Sequence, residues 1–428
     1  MKKKITMGVL LLALSLPTFA GGILTNTNQH ISFLRMIARG ASIDIDGVYS
    51  NPAGLGFMDD GLHLSLNVQS AYQTRVIDSY FPLFGETPKT YEGKASAPFI
   101  PSMQALYKKG NWGFSGSFAI TGGGGKASFD KGLAMFDSQV MGGLAQAGVP
   151  AAAYTISSAM DGKQYIFGLQ LGASYKVNDY LSVFGGGRMN YVSSGYEGYL
   201  HAIPPQSYGI PSFYDIELDC SQTGWGLTPI IGADVKYGRW NLGLKYEFMA
   251  NLNIENKTKI NTSTMGPLAE YADGVNTPHD IPAMLMAAVG YEILPTLRAS
   301  VEYHQFFDKD AGMANNKQRY LTGNTQEFLA GIEWDVHKIV TVSGGYQRTD
   351  YGLADGFQSD ISFSLDSYAI GFGGALKLTP NLTMNIAYFW TDYDDYSKAS
   401  YNFSNQTIKG DVLSRTNKVF GLGIDYKF

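Results

Sequence analysis

Through most of its length the chain alternates apolar and polar residues with a period of two. Leu62, Leu64, Leu66 and Val68 alternate with His63, Ser65, Asn67 and Gln69, and Trp240, Leu242, Leu244, Tyr246 and Phe248 with Asn241, Gly243, Lys245 and Glu247. The same pattern runs through Leu297–Tyr303 and Leu382–Trp390. Side chains on a strand point to opposite faces in turn, so each segment is a strand with one apolar face and one small or polar face. A β-sandwich would alternate in the same way, and the connections decide between the two. Tight turns fall at 109–111, 178–179, 237–239, 294–296, 335–338 and 379–381. Long segments fall at about 75–98, 122–163, 196–221, 255–280, 308–322, 351–364 and 394–414. Six short turns alternating with seven long loops join fourteen strands, and short connections at one end with long ones at the other mark a transmembrane β-barrel. The expected fold is therefore all-β, a fourteen-stranded antiparallel barrel with its apolar face on lipid.

Composition agrees. Charged residues are 16% of the chain, against roughly 25% in soluble domains. The 51 Gly, 28 Tyr and 24 Phe are abundant, and mean hydropathy is −0.09. A bundle of membrane helices would need uncharged apolar runs of about 20 residues, and a disordered chain would lack the aromatics.

Residues 1–20 read as a secretory signal peptide: Lys2, Lys3 and Lys4, an apolar run from Ile5 to Leu16, and Thr18-Phe19-Ala20 before the cleavage point. Its removal leaves 29 basic against 37 acidic side chains, a poor balance for nucleic acid. Cys220 is a lone cysteine, so no disulfide framework is expected. The last segment alternates Phe420, Leu422, Ile424, Tyr426 and Phe428. A terminal Phe with an aromatic two places before it resembles the sorting signal read by the barrel-assembly machinery of bacterial outer membranes.

Residues 21–60 do not alternate. They contain Arg35, Arg39, Asp44 and Asp46, followed by Asn51-Pro52-Ala53-Gly54-Leu55. About 40 such residues before the first strand cannot be a span, and a fourteen-stranded lumen is wide enough to hold them. They are expected to form a hatch, with the barrel occupying 61–428. Arg39-Gly40-Ala41-Ser42, the spaced Asp pair and Tyr49-Ser50-Asn51-Pro52-Ala53-Gly54-Leu55 resemble the hatch of the FadL/TodX family, outer-membrane transporters of long-chain fatty acids and aromatic hydrocarbons. The resemblance implies a monomeric barrel, set in outer-membrane lipid and lipopolysaccharide, that passes a hydrophobic small molecule without a cofactor. It also implies that ligand is caught among extracellular loops and leaves sideways at a kink in the third strand.

Several residues fit that expectation. Asn51, Pro52, Ala53 and Gly54 would shape the gate, since Pro52 fixes φ and holds Asn51 extended. The third strand, read as Trp112 to Thr121, runs into Gly122-Gly123-Gly124-Gly125, where glycine permits a kink. Phe129, Leu133, Phe136, Val140 and Leu144 are spaced 4, 3, 4 and 4, which lines one face of a loop helix as packing or as a capture groove. Tyr208, Phe213 and Tyr214 are candidate partners. Arg188 and Lys245 face the lumen. Either could pair with an inward acid (Glu247, Glu302 or Glu333) or hold a ligand carboxylate. The six His are scattered, with no His-x-x-x-His pair and no Gly-x-Ser-x-Gly elbow, so neither catalysis nor a metal is expected. A docking component of a protein secretion system is the alternative reading.

Overall fold

The computed structural model describes residues 23–27, 29–204, 212–264, 266–403 and 406–428, and of Phe403 the backbone alone. The signal-peptide reading and Tyr208 lie outside the described residues. Fourteen antiparallel strands close into one barrel: β1 (Gly61–Ser79), β2 (Lys89–Lys109), β3 (Trp112–Phe129), β4 (Thr155–Lys176), β5 (Leu181–Ile203), β6 (Tyr214–Tyr237), β7 (Trp240–Glu247), β8 (Met284–Leu294), β9 (Leu297–Phe306), β10 (Gln326–His337), β11 (Val340–Asp350), β12 (Ser367–Thr379), β13 (Leu382–Tyr393) and β14 (Val412–Lys427). β14 pairs back onto β1, from His63 opposite Lys427 to Asp78 opposite Val412. Closure leaves no sheet edge, which a bilayer demands because lipid offers the backbone no hydrogen bonds. All six tight turns join neighbouring strands at one end of the barrel. Past Glu247 the chain leaves the ladder, and a further stretch, Asn253–Ser263, pairs with the upper part of β6.

The outer surface carries the apolar half of the alternation. Trp225 is 71% exposed, Leu171 62% and Ile386 59%, values that only a hydrocarbon surround reconciles with folding. Phe167, Tyr191 and Trp225 stand side by side across β4, β5 and β6, where an interfacial girdle belongs.

The strands run further than the alternation suggested. β4, β5 and β6 contain 22, 23 and 24 residues, against the roughly 9–11 that cross a bilayer. β3 continues through the glycine run to Phe129, not ending at Thr121; the expected long segments at 75–98 and 196–221 are largely strand, and 122–163 is strand at both ends. The reason lies on the outer face. Above Tyr165 the outward positions of β4 become Lys163, Asp161 and Ser157, so pairing persists after the apolar contrast has gone.

Residues 23–27 and 29–58 fill the lumen. Helix α1 (Ile31–Met36) is buried along its whole length, and short 3-10 turns follow at Ile45–Val48 and Pro52–Phe57. The wall is thinned to receive them. A Cβ at Gly331 or Gly345 would overlap the Met36 carbonyl, one at Gly371 that of Leu34, and one at Gly243 that of Gly40. Lumen-facing glycine in β7, β10, β11 and β12 thus lets hatch backbone lie directly on wall backbone. Gly243→Val with Gly331→Val should unseat the hatch while the barrel still inserts. Single-channel conductance in planar bilayers should then rise severalfold, and unchanged conductance would contradict this packing.

Candidate transport path

The hatch is tied to the wall by buried charge. Arg39 forks onto Asp46 at 2.7 Å through both Nε and Nη2, while the Asp44 carboxylate accepts from the Ile45 N–H and caps the first 3-10 turn. Arg35 pairs with Glu333, which also binds Arg298 at 2.8 Å. The Gly40 N–H donates to Glu302 at 2.7 Å, and His304 bridges Glu302 to Glu327. Asn51, fully buried, donates from Nδ2 to the Gly40 carbonyl (2.9 Å) and to Asp234 (2.6 Å). Pro52 opens the second 3-10 turn, Ala53 packs on Phe184 and Ile230, and a Cβ on Gly54 would lie 3.3 Å from Asp234.

Arg188 and Lys245 belong to the same network. Arg188 forks onto Glu247 at 2.7 and 2.8 Å and donates to Gln170, while Lys245 pairs with Glu247 at 2.9 Å and donates to the Tyr49 carbonyl at 2.8 Å. The Tyr49 ring lies against both cations, 4.6 Å from Arg188 and 5.2 Å from Lys245. Of the three inward acids, register selects Glu247 for Arg188.

The ladder of the wall is interrupted between β2 and β3. Their ladder holds from Lys94–Ser128 to Ser96–Lys126 and again from Met103–Phe118 to Lys109–Trp112; between these, residues 97–102 and 119–125 do not pair with each other. Pro98 and Pro101 on β2 have no N–H to give. On β3, Gly123 (φ +64°) and Gly124 (φ +120°) take left-handed values that favour glycine. Thr121 and Gly124 have no partner in the β4 register, so the strand bulges twice.

The first described residues cover this gap. The Asn26 N–H donates to the Thr121 carbonyl at 2.8 Å, and the Asn26 amide to those of Gly123 (2.9 Å) and Ile120 (3.3 Å). Gln29 donates to the Ile120 carbonyl at 3.1 Å, while its own carbonyl accepts from Ser102 (2.6 Å) and Gln104 (3.1 Å) on β2. A Cβ on Gly122 would overlap the Leu24 carbonyl. Around the gap, Phe33, Ala97, Ile100 and Ile120 are buried together, with Tyr165 and Phe167 against them. Pro98, Pro101, Asn26 and Gln29 were not among the residues singled out from sequence. Two prolines three positions apart beside a strand pattern were the available signal.

At the long-loop end, Phe129, Leu133, Phe136, Val140 and Leu144 share one buried cluster with Met160, Leu200, Tyr214 and Phe363, and Phe213 packs against it. Only the last three of the five lie within helix α2 (Ala134–Gln146). Gly132 (φ +86°) turns the chain between Phe129, which ends β3, and Leu133, which caps the helix. Asp137 ties α2 to Tyr91 (2.7 Å) and Lys89 (2.5 Å), and Asp360 accepts from the Met135 N–H at 2.5 Å. The apolar cleft among Phe136, Met160, Leu200 and Ile216 holds about 20 Å³, too little for a hydrocarbon. Burial pushes the loop lysine Lys317 down to about 7 and raises the Asp360 carboxyl above its usual range. At the short-turn end a cavity of about 510 Å³ is lined by Arg35, Arg39, Asp44, Arg298, Glu333 and Asp335 among others. It is a polar vestibule that an apolar molecule has no reason to enter.

No family model and no curated protein matches this sequence. Solved structures do. A FadL homologue from Pseudomonas aeruginosa aligns at TM-score 0.70 and 15% identity, covering 95% of this chain and 100% of that one. The toluene transporter TodX of P. putida aligns at 0.59 and 13%, covering 90% and 94%, and the toluene transporter TbuX of Ralstonia pickettii at 0.57 and 13%, covering 92% and 99%.

Arg188→Ala would leave the buried Glu247 with Lys245 as its remaining cation and should cost about 1.5–3 kcal/mol, with Glu247→Ala added on top costing less than the sum. Denaturant unfolding in lipid vesicles measures both, and a single-mutant loss under about 1 kcal/mol would mean the pair is solvated. The chain has the FadL/TodX-type fold, a closed barrel of fourteen antiparallel strands with its N-terminal segment seated in the lumen.

Proposed function

We propose that this protein is an outer-membrane channel for passive uptake of hydrophobic small molecules, long-chain fatty acids or aromatic hydrocarbons. Ligand is captured at the cluster of Phe129, Leu133, Phe136 and Val140 among the extracellular loops and passes the hatch around Asn51, Pro52, Ala53 and Gly54. It then leaves into the bilayer between β2 and β3 at Gly122 and Gly123. The observation that carries this reading is the broken β2–β3 ladder, flanked by apolar side chains and covered by residues 24–29. Physical chemistry supports it, since an apolar solute gains nothing from the polar vestibule and keeps its surface dry by moving from loops to lipid. Two toluene transporters of similar fold, TodX and TbuX, point the same way. The barrel acts as a monomer among lipid and lipopolysaccharide, is exported by residues 1–20 and is assembled through the Phe428 signal.

The test is uptake of labelled oleate and of toluene by cells lacking their own channel. Deleting Thr121 and Gly124 together removes both bulge residues and restores an unbroken register with β4. At equal surface level, uptake should fall to background. Pro52→Ala should lower it severalfold by loosening the hatch. Undiminished uptake through the straightened strand would overturn the lateral route. Uptake of neither ligand by the inserted wild type would overturn the channel reading and favour docking to secretion partners.

A further inference from the structure

On the long-loop side of the girdle, the outer face of β3 to β6 carries charges that are sorted by height. Four positions along the strands from Phe167, Tyr191 and Trp225, one register runs through Lys126, Lys163, Gly195, Ser221 and Lys257, the last on the stretch Asn253–Ser263. Two positions further, Asp161, Glu197 and Asp219 stand side by side. On β4, β5 and β6 the positions between lysine row and girdle are Tyr165, Ser193 and Thr223, without charge, while Glu255 stands opposite Thr223. Four residues at about 3.3 Å each, on strands tilted by about 40°, raise the lysine row roughly 10 Å above the girdle. That is the depth of the lipid head groups.

The lysines of this row are exposed. Lys126 and Lys163 face each other in register, and like charges so placed repel. Lys126 is answered by Asp161 at 2.7 Å, and Lys259, beside the row, by Asp219 at 3.2 Å. Lys163 and Lys257 form no ion pair among the described residues. In water such cations are solvated and need no partner. At head-group depth the surrounding lipid supplies the counter-charge.

The two open cations flank a depression. A Cβ on Gly195 would lie 3.1 Å from Lys163 Cε, so the missing side chain lets Lys163 lie across the wall. A notch of about 210 Å³ forms there, lined by Lys163, Gly195, Ser221, Glu197, Asp219 and Lys259 among others. Its floor is polar and extends from the lysine row up to the acids. Lys163 and Lys257 stand three strand spacings apart, about 14 Å, the span of a disaccharide with a phosphate at each end.

We propose that this face seats a bisphosphorylated disaccharide lipid of the outer leaflet, with one phosphate on Lys163, the other on Lys257 and the sugars over Gly195 and Ser221. This rests on the outer-membrane reading above and adds to it a particular lipid and the residues that hold it. The seat adjoins the interrupted ladder, since Lys126 resumes pairing with Ser96 directly past it. A lipid held there fixes the height of the β2–β3 break in the leaflet.

Native mass spectrometry of the intact protein in non-ionic detergent tests this, with bisphosphoryl lipid A, monophosphoryl lipid A and phosphatidylglycerol as probes. The wild type should bind the bisphosphoryl form at least tenfold more tightly than either other lipid. Lys163→Gln with Lys257→Gln should abolish that preference, and Lys163→Arg with Lys257→Arg should keep it. Lys236→Gln with Lys377→Gln, at the short-turn end, should leave it unchanged. Equal affinity of the wild type for the two lipid A forms would overturn the seat, as would an equal loss in both glutamine pairs. Phosphatidylglycerol held as tightly as bisphosphoryl lipid A would overturn the disaccharide assignment. These failures would leave oleate and toluene uptake by cells intact. Loss of the channel reading would instead show as no uptake by a wild type that still binds lipid A.

Discussion

A bilayer supplies no hydrogen bonds, so every peptide group at its depth has to find a partner within the protein. Almost all of this chain meets that demand by closing fourteen strands on themselves. The exception is the place where β2 and β3 part. There two prolines remove donors from β2, and the carbonyls of Ile120, Thr121 and Gly123 turn out of the ladder toward the lumen. Asn26 and Gln29 supply the missing donors. The gap and the segment that covers it are one device, since neither satisfies its backbone groups without the other.

The hatch is held by a different force. Its bonds to the wall are ion pairs and charge-assisted hydrogen bonds at Lys245, Glu302, Glu333 and Asp234, buried where an unpartnered charge would be costly. These fix the middle of the lumen, and the 510 Å³ vestibule below them is polar. The apolar surfaces lie elsewhere, in the loop cluster and around the β2–β3 gap. Polar contacts thus hold the middle of the lumen, and apolar contacts gather at the loops and beside the parted strands.

How much of this was legible depended on contrast. The bilayer imposes apolar-out, small-or-polar-in alternation, so strand number, the six tight turns and the barrel followed from the pattern of residues. Strand ends did not, because the outward positions turn polar at Lys163 and Asp161 while pairing continues. The Asn51-Pro52-Ala53 element stood out as a motif. That Asn51 binds Asp234, 183 positions away, required the register of β6. Gly122 to Gly125 marked the third strand, whereas Pro98, at the end of a segment read as loop, and Pro101 just beyond it went unread. Asn26 and Gln29 carried no periodic signal.

The central claim is that an apolar ligand leaves through the wall and not through the vestibule. Photolabelling with a diazirine-bearing long-chain fatty acid, followed by mass spectrometric mapping of the modified residues, separates the two most directly. The account predicts adducts on Leu24, Ala97, Ile100 and Ile120, beside the parted strands. Adducts concentrated instead on vestibule residues such as Met36, Ala41 and Tyr291 would contradict it.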